Sequence, residues 1–180
     1  MAKPKVASDW LAGCAGCHMS FLDIDERIIE LLKLVDLRSS PITDLKEPDA
    51  DGVDVGILEG GISNTYNEEV AIRMRERSKI LVALGDCAVF GGVPAMRNFY
   101  GADVALKRAY IEAESNDESA KIPSDPELST PVRVKPVSDL VKVDVYLPGC
   151  APSADAIFAV LADLANGKVP DVSGEINDWH

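Results

Sequence analysis

The sequence predicts an open, mostly parallel α/β sheet. Short apolar runs alternate with amphipathic segments along its 180 residues, which is the order of a sheet whose strands are joined by helices. Three of these runs end in a turn of small residues, and the three turns hold all four cysteines of the chain: Leu11-Ala-Gly-Cys14-Ala-Gly-Cys17, Leu84-Gly-Asp-Cys87 and Leu147-Pro-Gly-Cys150. Parallel sheets bind ligands outside the carboxyl ends of their strands. We therefore expect the four thiols to converge, although the chain separates them widely.

The first strand is predicted at Lys5–Leu11, directly before the Cys14–Cys17 turn. A helix follows, with Asp23 or Asp25 as its N-cap, because a short acidic side chain there can accept from free backbone N–H groups. Its apolar stripe has helical spacing and comprises Ile28, Ile29, Leu31 and Leu32.

The middle of the chain contains three further predicted strands and one helix. A weak strand is expected near Pro41–Leu45, and a stronger one at Val53–Leu58, which ends in Glu59-Gly-Gly61. An amphipathic helix is predicted over Asn67–Arg77. The continuous apolar run Lys79–Leu84 is typical of a strand that is covered on both faces.

The last third begins with a loop at Phe90–Pro94 and a helix at Tyr100–Glu114. Residues 115–135 are polar and contain several prolines, so we expect a surface excursion there. A strand at Val141–Leu147 is followed by a helix at 154–165, for which Ser153 is the predicted N-cap and Asn166-Gly167 the stop signal. The prediction is one domain over residues 1–180.

Composition excludes several classes of function. The chain is 47% hydrophobic, enough for a core, and its formal net charge is −12. That charge disfavours binding to nucleic acid or to an anionic membrane surface, both of which attract lysine and arginine. No apolar run is long enough for a membrane span, so no direct membrane insertion is expected. We see no signal peptide and expect a cytoplasmic protein, where cysteines at metal-like spacing are more often ligands than disulfides.

Four soft ligands at one point indicate an iron–sulfur cluster or a zinc ion. Structural zinc sites usually draw their ligands from two local pairs, whereas this chain has one pair, Cys14 and Cys17, and two single cysteines, Cys87 and Cys150. A thioredoxin-like redox pair at Cys14/Cys17 leaves the other two strand-end cysteines unexplained. The spacing favours the cluster, and zinc, a redox pair and buried structural thiols remain alternatives.

Two polar residues near these turns have two interpretations each. His18 is either a ligand or proton donor beside the metal, or a hydrogen-bonded residue at an interface between subunits, and we favour the second. Glu59 either faces the site and tunes it or pairs with a nearby arginine. Neither a P-loop nor a G-x-G-x-x-G motif is present, so nucleotide binding by those routes is not expected.

At these residues the chain resembles the small subunit of nickel–iron hydrogenases, and more distantly the cluster-bearing subunit of respiratory NADH:quinone oxidoreductase. The motifs that carry the resemblance run from the first cysteine turn to the last helix: Cys14-Ala-Gly-Cys17-His-Met-Ser, Leu58-Glu-Gly-Gly-Ile-Ser-Asn64, Ala83-Leu-Gly-Asp-Cys-Ala88 and Val143-Asp-Val-Tyr-Leu-Pro-Gly-Cys-Ala-Pro152. The respiratory protein has adjacent cysteines where this chain has Cys14-x-x-Cys17, which favours the hydrogenase side. The Cys-His-Met-Ser segment and the Leu-Asp-Ile-Asp-Glu-Arg that follows are similar to cytoplasmic, NAD-reducing hydrogenases.

The resemblance implies a flavodoxin-like fold and one proximal [4Fe–4S] cluster at the carboxyl ends of the strands, with Cys14, Cys17, Cys87 and Cys150 as its ligands. It implies a large subunit with the nickel–iron centre and diaphorase subunits with FMN, further clusters and the NAD site. The chain itself would relay electrons in the reaction H2 + NAD+ = H+ + NADH. A flavin on this chain is a minority hypothesis. The alternatives are a cluster-bearing component of an energy-converting hydrogenase or of NADH:quinone oxidoreductase and, from another class, a zinc-stabilised binding module.

A cluster at the rim of a sheet must be covered to exclude water, so an obligate interface with another subunit is expected. The aromatic and apolar side chains that flank the cysteine turns are candidates for its apolar part, with ordinary core packing as the alternative for each of them: Trp10, Phe21, Phe90, Met96 and Tyr100.

Overall fold

The computed structural model describes residues 2–172. Its strands are β1 (Lys5–Trp10), β2 (Asp36–Ser39), β3 (Val53–Glu59), β4 (Ile62–Asn64), β5 (Ser78–Leu84), β6 (Pro131–Lys135) and β7 (Val145–Leu147). Its α-helices are α1 (Gly16–Leu22), α2 (Arg27–Leu34), α3 (Thr65–Arg77), α4 (Gly85–Phe90), α5 (Ala102–Tyr110) and α6 (Ala154–Ala165). Two 3-10 segments lie at Val93–Phe99 and Val137–Asp139. None of the helices in the described part of the chain has the length and apolar character needed to span a bilayer.

Five of the strands form one parallel sheet in the order β2-β1-β3-β5-β7, so the predicted parallel α/β fold is confirmed. Counted within this sheet, the order is 2-1-3-4-5, the flavodoxin-like order. The chain leaves β1 towards one edge of the sheet and later continues from β3 towards the other. This topological switch point, between β1 and β3, is where open α/β sheets place their ligand crevice.

Helices cover both faces of the sheet, as predicted. The sheet has a hydrophobic core on each face, and alternate residues of β5 belong to different cores. Val82 and Leu84 pack with α2 and α6, whereas Leu81 and Ala83 pack with α3 and α4. This explains why the strand is apolar over residues 81–84, since neither face of it meets water there. The carboxyl end of the strand is thereby held firmly, and that is where the cysteine turn begins.

A small second sheet accounts for part of the predicted excursion. Residues 111–130 form no helix or strand and are mostly exposed, but Pro131–Lys135 is strand β6, which pairs antiparallel with β4. The prediction of a surface excursion to residue 135 was therefore too long. The sequence of β6 alternates valine with basic residues, and Val134 is buried, which is the pattern of a strand covered on one face.

The outer edge of β6 is occupied by side chains. Asn98 donates from Nδ2 to the Val134 carbonyl (2.8 Å) and accepts from the Val134 N–H (2.9 Å), so its amide takes the place of a neighbouring peptide group. Arg97 donates to the carbonyls of Val132 and Ser63. The 3-10 segment is thus fixed against β6.

Three local predictions were wrong. The second strand is Asp36–Ser39 and not Pro41–Leu45, because only Asp36–Ser39 lies beside β1. Neither Asp23 nor Asp25 is the N-cap of α2; Glu26 occupies that position, and its side chain makes no capping hydrogen bond. Asp23 lies instead at the end of α1. The last strand is confined to 145–147 and does not begin at Val141, because only these three residues pair with β5.

Two helix starts agree with general capping chemistry. Ser153 accepts from the Ala156 N–H (3.2 Å), as predicted for the last helix. Asn64 accepts from the Asn67 N–H (2.8 Å) and begins α3 two residues before the predicted start. Capping fixes the direction in which each helix leaves the sheet.

Asp144 fixes the edge strand β7 to the rest of the sheet. Its side chain, 23% exposed, accepts from the Leu81 N–H (2.8 Å) and pairs with Arg75. Burial acts to raise the pKa of Asp144, but the hydrogen bonds from Arg75 and Leu81 outweigh it and the pKa lies below its ordinary value. The stability that Asp144 contributes is therefore present above its unfolded-state pKa and is lost as the pH falls through the folded one.

We expect Asp144→Ala to lower the free energy of unfolding by about 1.5–3 kcal/mol at pH 7, because a charged acceptor is removed from a peptide N–H. Urea unfolding followed by circular dichroism measures this. The difference from the wild type should shrink when the pH is lowered below about 4, and an unchanged difference at acid pH would contradict the assignment.

Candidate metal centre

All four cysteines lie at the carboxyl edge of the parallel sheet. Cys14 lies in the turn after β1, and Cys17 in the first turn of α1. Cys87 lies in the first turn of α4, directly after β5, and Cys150 follows β7. All four are free thiols; Cys17 is buried, Cys87 is partly exposed, and Cys14 and Cys150 are exposed.

The fold brings the four thiols close enough to influence each other. Burial raises the pKa of Cys17 most, and the charges of Glu59 and of the other three thiols raise it further. Burial also raises the pKa of Cys87, with contributions from Cys150 and Cys14. Four thiolates in one place repel each other, so the set favours the protonated form until a cation compensates the charge. This electrostatic balance suits a metal site and disfavours a reactive low-pKa thiol.

Glycine is required where two of the turns meet. Gly85 has φ +82°, and a Cβ on it would lie 2.3 Å from the Cys17 Sγ. The turn after β5 can therefore lie against the Cys17 side chain only because residue 85 has no side chain. The Leu-Gly-x-Cys sequence thus encodes the close approach of two ligand turns.

Backbone hydrogen bonds tie the first cysteine turn to the end of β3. Leu11 donates to the Glu59 carbonyl (2.7 Å), and Ala12 and Gly61 exchange two N–H···O=C bonds of 2.9 and 2.8 Å. Gly60 has φ +91°, and a Cβ on it would lie 2.9 Å from the Ala12 carbonyl oxygen, so this residue packs directly against the bridge. The crevice at the switch point is thereby closed on one side by peptide groups and not by flexible side chains.

Glu59 and His18 form a buried pair beneath this turn. Glu59 accepts from the N–H groups of Cys17 (3.2 Å) and His18 (2.9 Å), and also contacts the His18 Nδ1. The other ring nitrogen, Nε2, lies 3.1 Å from the Ser8 Oγ. Burial acts to raise the pKa of Glu59, but these donors outweigh it and the pKa lies below its ordinary value.

This pair decides between the earlier interpretations. Glu59 is bonded to the cysteine turn and to His18, so the alternative of an arginine partner was wrong. Both ring nitrogens of His18 are engaged, and the side chain is only 5% exposed, which agrees with the hydrogen-bonded interpretation; its place at an interface between subunits stays a prediction. Trp10 lies edge-on to the His18 ring, with the ring centroids 5.6 Å apart.

The sulfur of Cys87 lies near a backbone donor that the sequence did not indicate. The Val93 N–H, beyond the two glycines that follow α4, acts to lower the pKa of Cys87, against the larger effect of burial. The Gly149 N–H, directly before Cys150, is bonded to the Asp86 Oδ1 (2.7 Å). A chain reversal within six residues is what brings Val93 back to Cys87, and periodicity carries no signal for it.

The spacing of the donors bears on the kind of metal. Within residues 2–172, no group of three or more His, Cys, Asp or Glu side chains is arranged to hold a single metal ion. A tetrahedral zinc ion with Zn–S bonds of about 2.3 Å requires its sulfurs about 3.8 Å apart. A four-iron cluster distributes four thiolates over a larger body. The four soft sulfur donors of this chain come from one local pair and two single turns, which favours the cluster over a structural zinc site.

An exposed apolar surface adjoins the site. We name it the 90–100 patch: Phe90, Val93, Met96, Phe99 and Tyr100, each 60–83% exposed. It begins three residues after Cys87 and includes three of the residues predicted for an interface. Of the other two, Trp10 is 40% exposed, whereas Phe21 packs against the core. Contiguous exposed apolar surface of this kind marks sites of protein–protein contact.

Comparison with known proteins places this chain in a family. The protein family described as "NADH ubiquinone oxidoreductase, 20 Kd subunit" matches residues 14–164, from the first cysteine to the last helix. The chain belongs to this family. The match includes all four cysteine positions and both core faces, so it covers the fold and the site together.

The relatives include several hydrogenase subunits, which agrees with the resemblance. The delta subunit of the NAD-reducing hydrogenase HoxS of Cupriavidus necator is 43% identical over 98% of this chain and 86% of its own length. One of the subunits of the F420-non-reducing hydrogenase of Methanothermobacter thermautotrophicus is 38% identical over 92% of this chain, which spans only 54% of that protein.

A crystal structure of an NAD+-reducing [NiFe]-hydrogenase in the H2-reduced state contains a chain that superimposes with a TM-score of 0.94 at 38% identity, over 99% of this chain and all of that one. The Ni-Fe-Se hydrogenase of Desulfomicrobium baculatum shares the fold alone, with a TM-score of 0.59 at 21% identity, over 98% of this chain and 69% of its own.

We expect Gly85→Ala to destabilise the fold more than Gly167→Ala, a matched control. Both glycines have positive φ, +82° and +71°, and alanine at either position costs about 1–3 kcal/mol of backbone strain. A Cβ at residue 167 meets nothing within 4 Å, whereas a Cβ at residue 85 collides with the Cys17 sulfur. Thermal unfolding of both variants measures the difference, and equal destabilisation would show that the two turns are not in contact.

Proposed function

We propose that this chain is the small, electron-transferring subunit of an NAD-reducing [NiFe] hydrogenase and that it holds one [4Fe–4S] cluster on Cys14, Cys17, Cys87 and Cys150. The observation that supports the proposal is the placement of the four thiols: their three turns lie at the carboxyl ends of strands of one parallel sheet, along the same edge. The 43% identity to the HoxS delta subunit supports the assignment to this class of hydrogenase.

The residues of the chain define how the cluster would be held. Cys14 and Cys17 would bind from one turn that is bridged to the end of β3, and Cys87 and Cys150 would bind from the ends of β5 and β7. The cluster supplies one-electron redox chemistry when bound, at a potential set by hydrogen bonds to sulfur, burial and nearby charge. The Val93 N–H would act on the Cys87 sulfur, and the buried Glu59 would place negative charge beside Cys17.

The partners follow from the surface that the chain exposes. The 90–100 patch adjoins Cys87, and a large subunit that covers it would exclude water from the crevice. The nickel–iron centre would lie on that large subunit, and FMN, further clusters and the NAD site on diaphorase subunits. In this assembly the chain would pass electrons singly during H2 + NAD+ = H+ + NADH, in the cytoplasm, as a single domain.

The family description favours one second candidate, a cluster-bearing component of NADH:quinone oxidoreductase or of a related energy-converting hydrogenase. These two interpretations differ in where the complex resides. Fractionation of the native cells with an antibody to this chain separates them: the proposal expects the chain in the supernatant after ultracentrifugation, and its recovery with the membranes would support the second candidate.

Metal analysis tests the cluster directly. We expect the full-length chain, produced and purified without oxygen, to be brown and to contain about four iron and four acid-labile sulfide per chain, because four thiolates match one [4Fe–4S] cluster. Stoichiometric zinc without sulfide would instead support a zinc-stabilised binding module and overturn the proposal.

Cysteine substitution in the purified complex tests the electron path. We expect Cys150→Ser and Cys87→Ser each to lower hydrogen-driven NAD+ reduction by at least an order of magnitude, since the hard hydroxyl oxygen is a poor substitute for a thiolate. NADH oxidation with an artificial dye, which needs only the diaphorase, should stay unchanged and serves as the control. Wild-type hydrogen-driven activity in either variant would contradict the assignment.

A further inference from the structure

The two single-cysteine turns are joined by one side chain. Asp86 precedes Cys87, and its Oδ1 accepts from the Gly149 N–H at 2.7 Å, directly before Cys150. The backbone completes the link, because the Asp86 N–H donates to the Gly149 carbonyl at 2.9 Å. The residue directly before Cys87 is therefore bonded to the residue directly before Cys150.

The edge strand β7 holds the Cys150 turn only weakly. β7 has three residues and pairs with β5 alone, at Val82–Val145, Ala83–Tyr146 and Leu84–Leu147. Short edge strands have few ladder hydrogen bonds to resist opening. Beyond Leu147, the position of Cys150 depends on contacts that the turn itself makes.

Gly149 is well suited to receive such a contact. Its φ is +134°, and a Cβ on it would lie 2.7 Å from the α-carbon of Pro152, so the turn is tightly folded. Pro152 is held in turn by the Ser20 hydroxyl, which donates to its carbonyl at 2.6 Å. The N–H that points at Asp86 therefore belongs to a peptide group with little freedom to rotate.

We propose that Asp86 is a positioning residue for the metal centre: it holds the turns of Cys87 and Cys150 at the separation that the cluster requires. This inference rests on the proposed function. The acceptor at Oδ1 is the operative feature, and the charge of the carboxylate is not. Alanine at this position would leave the Gly149 N–H without a partner.

The experiment uses the full-length chain, reconstituted without oxygen with ferrous iron and sulfide, and compares four proteins. Asp86→Ala removes the acceptor, and Asp86→Asn keeps an acceptor oxygen but removes the charge. Asp103→Ala is the matched control, since Asp103 is also an acid in the first turn of a helix but is exposed and remote in the chain from the cysteine turns. The readouts are the rate of iron release to a chelator and the electron paramagnetic resonance spectrum of the reduced cluster.

We expect Asp86→Ala to release iron on the order of tenfold faster than the wild type, which is the effect of losing one hydrogen bond and leaving its N–H donor unpaired, and to show a changed spectrum. Asp86→Asn and Asp103→Ala should stay within about twofold of the wild type, with its spectrum. A merely structural residue would lower thermal stability without changing the spectrum.

Three results would overturn the inference. Iron release from Asp86→Ala at the wild-type rate would show that the link is dispensable, and equally fast release from Asp86→Asn would show that charge matters rather than the acceptor. Fast release from Asp103→Ala would indicate general destabilisation. If Asp86→Ala does not fold, the result for Asp86→Asn decides. A wild-type chain that takes up no iron would instead refute the proposed function.

Discussion

Parallel pairing of β1, β3, β5 and β7 is the constraint on which the site depends. Because these strands run in the same direction, their carboxyl ends lie along one edge, and whatever follows each strand is delivered there. Residues as far apart as Cys14 and Cys150 become neighbours without a loop that spans the distance. The helices on both faces bury the apolar strands and restrict their movement, so the edge has little freedom to change shape.

Within that edge, peptide groups and small residues do the fine positioning. Gly85 admits the sulfur of Cys17, Gly61 bridges to Ala12, and Asp86 reaches Gly149. Each contact joins a turn to another turn and none depends on a long side chain, whose rotamer freedom would have to be lost on ordering. A metal centre that exchanges electrons without changing its ligands benefits from such a frame, because little of the protein has to reorganise.

The sequence predicted the parallel sheet and the convergence of the cysteines because both depend on patterns within short stretches of the chain. The run Lys79–Leu84 is apolar after its lysine, and Leu-Gly-x-Cys marks the end of a strand by its composition. It did not predict β2, since Asp36–Ser39 is a partly exposed, partly charged edge strand that pairing with β1 alone defines. It also missed the partner of Glu59 and the donor to Cys87, because both contacts join residues whose proximity only the folded chain creates.

The amide of Asn98 has a consequence for how other proteins can approach. By bonding to both polar groups of Val134, it blocks the free edge of β6, which would otherwise be open to β-augmentation by a strand of another chain. A protein that docks near the 90–100 patch must therefore recognise side chains and shape, since the backbone of β6 is already fully occupied at this residue. The occupied edge also protects a protein with exposed aromatic surface from edge-to-edge aggregation.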